Sequence, residues 1–152
     1  MRSIYLGITL LLPLGVGALA DDQGDRQKLL GTWEPQGVTA ENTAASSWTF
    51  SAARNSMQVT EAEAGKKITD FACGTGGTPC EVKTAGKKAT VSLWFNGPSL
   101  VEMETKGSEV VKRRFKILPQ GDAMEMEVIP IVPSGKTETL QFKRAQLAAR
   151  QD

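Results

Sequence analysis

The sequence predicts an all-β protein, an antiparallel up-and-down meander of about eight to nine strands that forms a closed or nearly closed barrel. Short runs in which apolar and polar residues alternate recur between residues 31 and 144, and clusters of Gly, Asn, Asp, Pro and Lys separate them. The connections are of hairpin length, too short for the crossovers that parallel strands need. A long meander avoids exposed edges by closing on itself.

The strand candidates follow one another at regular spacing. Gly31 begins the first strand, after residues 21–30, which are expected to form a lead-in turn or a short helix. Asn96-Gly97 is a strong hairpin signal, and Pro98 favours a loop slightly longer than two residues. The other strand candidates are residues 47–50, 57–61, 68–71, 89–95, 100–105, 109–118, 124–131 and 137–143, with a short run at 81–83 after the cysteine loop.

The first twenty residues, MRSIYLGITLLLPLGVGALA, have the layout of a secretory signal peptide. Arg2 supplies the positive charge, an apolar run from Ile4 to Val16 follows, and Ala18-Leu19-Ala20 has the small-x-small form of a cleavage site. The apolar run is shorter than the roughly 20 residues that span a bilayer. We therefore expect cleavage after Ala20, a secreted or periplasmic protein, and no integral membrane segment in the mature chain.

The mature chain is expected to hold one domain. Cleavage leaves 152 minus 20, or 132, residues, which suits a single core. The barrel domain is expected at 31–144, followed by a C-terminal tail at 145–152 in which a frayed helical turn is favoured. Residues 37–46 are too small and polar for a position in the barrel to be predicted.

The composition excludes several classes of function. The chain has no histidine, so Ser-His-Asp and Cys-His nucleophile arrangements and imidazole metal sites cannot form. Without Arg2 the chain has 17 basic and 17 acidic residues, and a chain of zero net charge does not favour nucleic acid as a partner. The carboxylates fall mainly on alternate positions expected to be exposed. We therefore expect no enzyme, no cofactor, no metal and no nucleic acid.

The segment CGTGGTPC, residues 73–80, holds both cysteines of the chain. It lacks the Lys-Ser/Thr pair of a phosphate-binding loop, and two cysteines without histidine are too few for a structural zinc site. In an oxidising compartment a lone cysteine pair forms a disulfide. We expect a structural disulfide between Cys73 and Cys80 that closes a tight reversal and contributes about 2.5 kcal/mol to stability.

Leu30-Gly31-Thr32-Trp33, at the start of the first strand, resembles the Gly-x-Trp motif of lipocalins and related up-and-down barrels. The order of motifs beyond it resembles that of small secreted bacterial lipocalin-like proteins of uncharacterised function. In this chain, that order continues with Cys73 to Cys80, then Lys112-Arg113-Arg114, and then Gln120-Gly121-Asp122. The middle segment departs from the family pattern, because CGTGGTPC replaces a charged turn.

The resemblance implies a lipocalin-like barrel and a structural role for its first strand. Gly31 and Trp33 would form the start of the barrel. In lipocalins a basic residue on the last strand packs over this tryptophan, and the matching positions here are Lys143 and Arg144. Such a contact between a cation and an indole face contributes about 0.5–2 kcal/mol.

Alternation sorts the strands into an apolar face, expected to point inward, and a polar face. On the strand at 100–105, Val101 and Met103 are expected inward and Glu102 and Glu104 outward. The inward set is rich in methionine, whose adaptable side chain suits an apolar ligand cavity. A filled core is the alternative, since such a barrel can be packed solid or hold one small ligand. Besides Arg113, the candidate ligand-binding residues are Met57, Met103, Met124, Met126 and Phe115.

Arg113 breaks the alternation on the strand at 109–118. It shares a face with Phe115 and is expected to point inward, whereas Lys112, Arg114 and Lys116 are expected outward, beside the glutamates of neighbouring strands. A buried guanidinium must be paired or must meet an anion. Arg113 could anchor a ligand carboxylate as in fatty-acid-binding barrels, lie at the barrel mouth, or pair with an acid such as Glu61, Glu102 or Asp70.

These observations favour an exported lipocalin-like protein that binds a small hydrophobic or amphipathic ligand. The alternative is a structural or protein-interaction module with a solid barrel core and no ligand. A third class, a small enzyme of unknown reaction, needs convergent polar groups in a cleft, which the alternation does not predict. The volume of the interior separates the first two.

Overall fold

The computed structural model describes residues 22–37 and 46–146. The predicted signal peptide at 1–20, residues 38–45 and the end of the predicted tail at 147–152 lie outside the described residues. No helix within the described ranges is long and apolar enough to cross a membrane. The elements are α1 (Asp22–Leu29), β1 (Gly31–Pro35), β2 (Ser47–Ala53), β3 (Ser56–Glu63), β4 (Lys66–Gly74), β5 (Cys80–Thr84), β6 (Lys87–Asn96), β7 (Ser99–Lys106), β8 (Glu109–Ile117), β9 (Ala123–Val132) and β10 (Glu138–Arg144).

The ten strands form a closed antiparallel barrel. Each strand pairs with its neighbours along the chain, and β1 pairs with β10 to close the sheet. The predicted all-β meander is therefore confirmed, with ten strands rather than eight to nine. The two shortest strands, β1 and β5, have only five residues each, and both have a strand neighbour on either side, although β5 shares a single register pair with β4.

One end of the barrel is covered by α1, and we call it the closed end. Leu29, the last residue of α1, is buried in the core, and its carbonyl accepts a hydrogen bond of 2.9 Å from the Trp33 indole Nε1. The Arg26 guanidinium donates a hydrogen bond to the carbonyl of Ser56 at the start of β3. The opposite end, which we call the open end, carries the turns at 64–65, 85–86 and 107–108.

Arg144, at the end of β10, secures the closed end. Its guanidinium carbon lies 4.2 Å from the Trp33 ring centroid, and its terminal nitrogens donate hydrogen bonds to the carbonyls of Leu30 (2.6 Å) and Lys28 (2.7 Å). Of the two basic residues on this strand, it is Arg144 and not Lys143 that packs over the indole. Gly31 has a φ of 119°, and a Cβ there would lie 2.9 Å from Arg144 Nη1, so only glycine fits.

The half of the barrel nearest the closed end is filled by apolar side chains. Phe115 contacts both Phe50 and Trp48, with ring centroids 5.1 and 5.2 Å apart, in tilted and edge-on arrangements that aromatic rings favour. Burial of these rings supplies much of the hydrophobic stabilisation of the fold. The largest fully buried side chains are Trp33, Phe50, Phe115, Phe142, Leu29, Met57, Leu93, Leu100 and Met124.

The β6–β7 hairpin has a two-residue turn, shorter than the presence of Pro98 predicts. Asn96 pairs with Ser99, which leaves Gly97 and Pro98 as the two central residues. Gly97 has a φ of 58°, and a positive value at the first central position is what two-residue hairpin turns require. Proline is accommodated because it occupies the second central position. This turn fixes the register of β7 and therefore the face of β7 that points into the barrel.

The seam between β4 and β5 has the fewest backbone pairs in the sheet. Within residues 46–146 the two strands share one register pair, Thr69 with Thr84. The predicted disulfide between Cys73 and Cys80 joins them nearer the closed end, with Cα atoms 6.2 Å apart. The loop between the cysteines pairs with β6 instead, where the Gly77 N–H donates a hydrogen bond of 2.8 Å to a β6 carbonyl. The disulfide thus links two strands that the backbone barely links.

Candidate ligand cavity

A cavity of about 290 Å³ opens at the open end of the barrel. Most of its inner wall is apolar, with Met126 and Val128 from β9, Leu140 and Phe142 from β10, and Trp48 from β2. The end of β1 and the residues beside it, 35–37 and Ser46, form part of the mouth. Three charged side chains also line the cavity: Glu61, Arg113 and Glu138.

Arg113 points into the barrel from β8, as its shared face with Phe115 predicts. Its Nη1 donates a hydrogen bond of 2.6 Å to Glu102 Oε1 and a longer one of 3.4 Å to Glu104 Oε2, both on β7. Its guanidinium carbon lies 5.6 Å from the ring centroid of Trp48, within the range of a cation–π contact. Of the predicted arrangements, the structure therefore shows the pairing with Glu102 and adds Glu104.

The prediction that Glu102 and Glu104 point outward is wrong. The register partners of Glu102 are Leu93 on β6 and Arg113 on β8, and all three side chains share the inner face. The assignment followed hydrophobicity alone. The ladder pairs Phe95 with Leu100 and Leu93 with Glu102, one position away from the pairing that would turn Val101 and Met103 inward. In a strand, a shift of one position exchanges the two faces.

The same shift places Val101 and Met103 on the outer face, so Met103 does not line the cavity. Its register partners are Ser92 and Lys112, both on the outer surface of the neighbouring strands. Val101 is nevertheless buried, with 1% of its surface exposed. Its partners across the strands are Trp94 and Arg114, two large side chains beside a small one.

Burial and neighbouring charge set the protonation of the interior cluster. The Glu102 side chain is 1% exposed, and this burial raises the pKa of its carboxyl although the Arg113 charge and hydrogen bond oppose the effect. Burial acts to lower the pKa of Arg113, but the charges of Glu102, Glu104 and Glu61 outweigh it and raise the pKa. Glu102 Oε2 is buried and has no hydrogen-bond partner among the described residues. The cluster combines a permanent cation with a carboxyl group shifted toward its neutral form.

The other predicted ligand-binding residues lie at different depths along the barrel axis. Met126 lines the cavity. Met57, Met124 and Phe115 lie in the filled half of the barrel, where 0%, 0% and 1% of their surfaces are exposed. They face inward as predicted, but they pack against other core side chains and do not border the cavity.

Several residues of the cavity wall were not predicted as ligand contacts, notably Trp48, Leu140 and Phe142. Alternation assigns Leu140 and Phe142 to the inner face, yet it carries no information on depth along the barrel axis. Depth depends on strand stagger, which only the complete set of register pairs defines. Within the described ranges, no group of three or more His, Cys, Asp or Glu side chains could hold a metal ion.

The sequence matches no known protein family and no curated protein. The fold, in contrast, has close counterparts among solved structures. The REP1-NXSQ fatty acid transporter superposes with a TM-score of 0.62 at 18% identity, over 80% of this chain and 99% of that chain. A fatty acid binding protein of Schistosoma mansoni, in complex with arachidonic acid, gives a TM-score of 0.66 at 17% identity, over 81% and 100%.

A third similar structure is a secretory abundant heat soluble protein from Ramazzottius varieornatus, with a TM-score of 0.63 at 12% identity, over 78% of this chain and 96% of that chain. At such identities the likeness establishes the fold alone. The structural neighbours are barrels of the lipocalin and fatty-acid-binding type, which agrees with the predicted lipocalin-like architecture.

Proposed function

We propose that this chain is an exported carrier that binds one small apolar or amphipathic molecule in the cavity at the open end and catalyses no reaction. The observation that carries the proposal is the cavity itself. It has about 290 Å³ of space, apolar walls and a charged group at its inner surface. Ligand pockets begin at roughly 300 Å³ and combine apolar walls with a few polar groups. The fatty-acid transport and binding activities of two structural neighbours support the ligand class.

Native mass spectrometry of the mature protein tests the proposal. We expect a stoichiometric extra mass that disappears after organic extraction, and the extract then identifies the ligand. Val128→Trp should abolish this extra mass by filling the cavity. The matched control is Ile129→Trp, one residue further along β9 on the outer face, which should leave it intact. An apo mass, together with no binding of fatty acids or hydrophobic dyes, contradicts the carrier proposal.

The export part of the proposal rests on the first twenty residues and has its own test. We expect the protein to be recovered from the periplasm or the medium, with an intact mass that corresponds to a chain beginning at Asp21. Recovery of the uncleaved chain from the cytosol would contradict export without affecting the binding proposal.

The second candidate function is a structural or protein-interaction module with no ligand. It is favoured by the filled half of the barrel, where Trp33, Met57 and Met124 have 0% of their surfaces exposed. This candidate would be supported by an apo protein whose free energy of unfolding does not fall in Val128→Trp. A cavity that holds no ligand can be filled without loss of ligand binding.

A further inference from the structure

The guanidinium of Arg113 is already paired with carboxylates of the protein. One nitrogen, Nη1, donates to both Glu102 and Glu104, and the charge of Glu61 also acts on this guanidinium. Lys106 Nζ, 3.4 Å from Glu104 Oε1, partly offsets Glu104. A ligand carboxylate that approached Arg113 would lose its hydration and would meet a guanidinium whose Nη1 already donates to two glutamates.

Glu61 differs from Glu102 and Glu104 because Arg113 donates no hydrogen bond to it. Its side chain lines the cavity from β3 and is only partly exposed, and its carboxylate makes no hydrogen bond or close ion pair with a described side chain, although its charge acts on Arg113. Its register partner on β2 is Trp48, which also lines the cavity. A partly desolvated carboxylate in the wall of a cavity can bind an organic cation through a charge-assisted hydrogen bond.

A second carboxylate, at the mouth of the cavity, adds negative charge to the lining. Glu138, at the start of β10, is the third charged residue of the lining, so the lining itself holds two carboxylates and one paired guanidinium. Glu138 is exposed, whereas Glu61 is partly buried beside apolar side chains of the wall, where its charge is screened less than at the surface. The potential in the cavity therefore opposes an anionic head group and favours a cationic one.

We infer that the cavity selects amphiphiles with a cationic, hydrogen-bond-donating head group, such as a long-chain amine, over fatty acids of the same chain length. The apolar chain lies against Met126, Val128 and Leu140, and the ammonium group binds Glu61. This inference rests on the proposed carrier function, because it names the class of ligand for the same cavity. It distinguishes the chain from the fatty-acid-binding neighbours, whose fold it shares.

A matched series of three ligands tests the inference on the unmodified protein. Decylamine, decanol and decanoate have the same alkyl chain and carry a positive, a neutral and a negative head group at pH 7. Isothermal titration calorimetry of the delipidated mature protein, below the concentration at which micelles form, measures their dissociation constants. We expect decylamine to bind at least about tenfold more tightly than decanoate, with decanol between them.

Glu61→Gln then assigns the preference to one side chain. The amide has the shape of the carboxylate without its charge, so decylamine binding should weaken roughly fivefold or more while decanol binding stays unchanged. The control is Glu81→Gln, which makes the same change of net charge at an exposed position on the outer face of β5. It should leave all three constants unchanged.

The possible outcomes separate the two proposals. Decanoate binding as tightly as decylamine overturns the head-group inference and leaves the carrier function standing. Failure of all three ligands to bind overturns the carrier function itself. Decylamine preference that survives Glu61→Gln overturns the assignment to Glu61, and preference lost in that variant but kept in Glu81→Gln establishes it. The comparison of ligands on the unmodified protein does not depend on whether either variant folds.

Discussion

Two seams of the barrel are held together by different means. β8 and β9 share eight register pairs, and β7 pairs with β8 over eight more. β4 and β5 share one pair, and the disulfide between Cys73 and Cys80 joins them at the other end of the seam. The long ladder fixes geometry through many weak bonds, and the short seam fixes it through one strong bond.

The number of register pairs between two strands affects whether those strands can carry a buried ion pair. The buried pair of Arg113 and Glu102 lies on the long-ladder side, at adjacent positions of β8 and β7. Burial of two charges costs free energy unless their geometry is well defined. A continuous ladder provides that definition, whereas a seam with one backbone pair does not. The predictions below probe the two sides, from the largest expected effect to the smallest.

Arg113→Met tests the long-ladder side. It leaves Glu102 buried without its cation, and we expect a loss of about 3–5 kcal/mol in the free energy of unfolding. Denaturant unfolding at pH 7 measures it. The control is Arg114→Met, which breaks the half-exposed pair with Glu127 (3.0 Å) and should cost about 1 kcal/mol or less. Equal losses of unfolding free energy in the two variants would show that the interior pair contributes no more to stability than a surface pair.

Replacement of both Cys73 and Cys80 by Ala tests the short seam. We expect a loss of about 2.5 kcal/mol, because the open chain regains conformational entropy in the unfolded state. Hydrogen exchange should also accelerate in β4 and β5 more than in β8 and β9, since the seam has few backbone bonds of its own. Uniform acceleration across the barrel would mean that the disulfide acts on global stability alone and does not secure the seam.

Glu102→Gln tests how the interior pair responds to pH. The folded-state pKa of Glu102 is raised above its ordinary value of 4.5, so the group stabilises the fold below that pH and the contribution is lost as the pH rises through the folded value. The stability of the unmodified protein should therefore decline across this range relative to that of the variant. An identical dependence of stability on pH for Glu102→Gln and the unmodified protein would contradict the assignment.

Asp70→Asn should have the smallest effect. Hydrogen bonds from Gln58, Lys67 and Thr60 lower the pKa of this exposed carboxyl on β4, so its contribution is present above its ordinary pKa and is lost as the pH falls. Exposed interactions of this kind contribute about 0.2–1 kcal/mol. Thermal unfolding at pH 7 and pH 3 measures the difference, which should be smaller at the lower pH. A larger loss would mean that these side-chain bonds, two of which join β4 to β3, contribute more than exposed interactions of this kind.

The sequence was sufficient to predict the meander as a closed or nearly closed barrel, the disulfide and the inward direction of Arg113. Each of these depends on local patterns: alternation, turn composition, cysteine number and the face shared with Phe115. The position of the disulfide on the weakest seam was not predictable, because it follows from the stagger between β4 and β5. The same holds for the depth at which core side chains end and the cavity begins.

The clearest error also has a local cause. The pairing of Leu93 with Glu102 places Glu102 on the inner face and Val101 on the outer face, because the faces alternate with every residue. Hydrophobicity favours Val101. The inward Arg113 on the next strand favours Glu102, and the structure follows this pairing requirement together with the tight turn. A buried cation on one strand is therefore useful evidence for the register of its neighbour.

The contacts of Arg144 have a consequence for the time course of synthesis. This side chain binds the carbonyls of Leu30 and Lys28, 114 and 116 positions earlier in the chain, and β10 supplies one of the two partners of β1. Ribosomes add roughly 5–20 residues per second. Synthesis of α1 and Trp33 therefore precedes synthesis of Arg144 by roughly 6–20 seconds. Contacts between such distant positions also form slowly. The closed barrel is therefore a structure that only a finished chain can adopt.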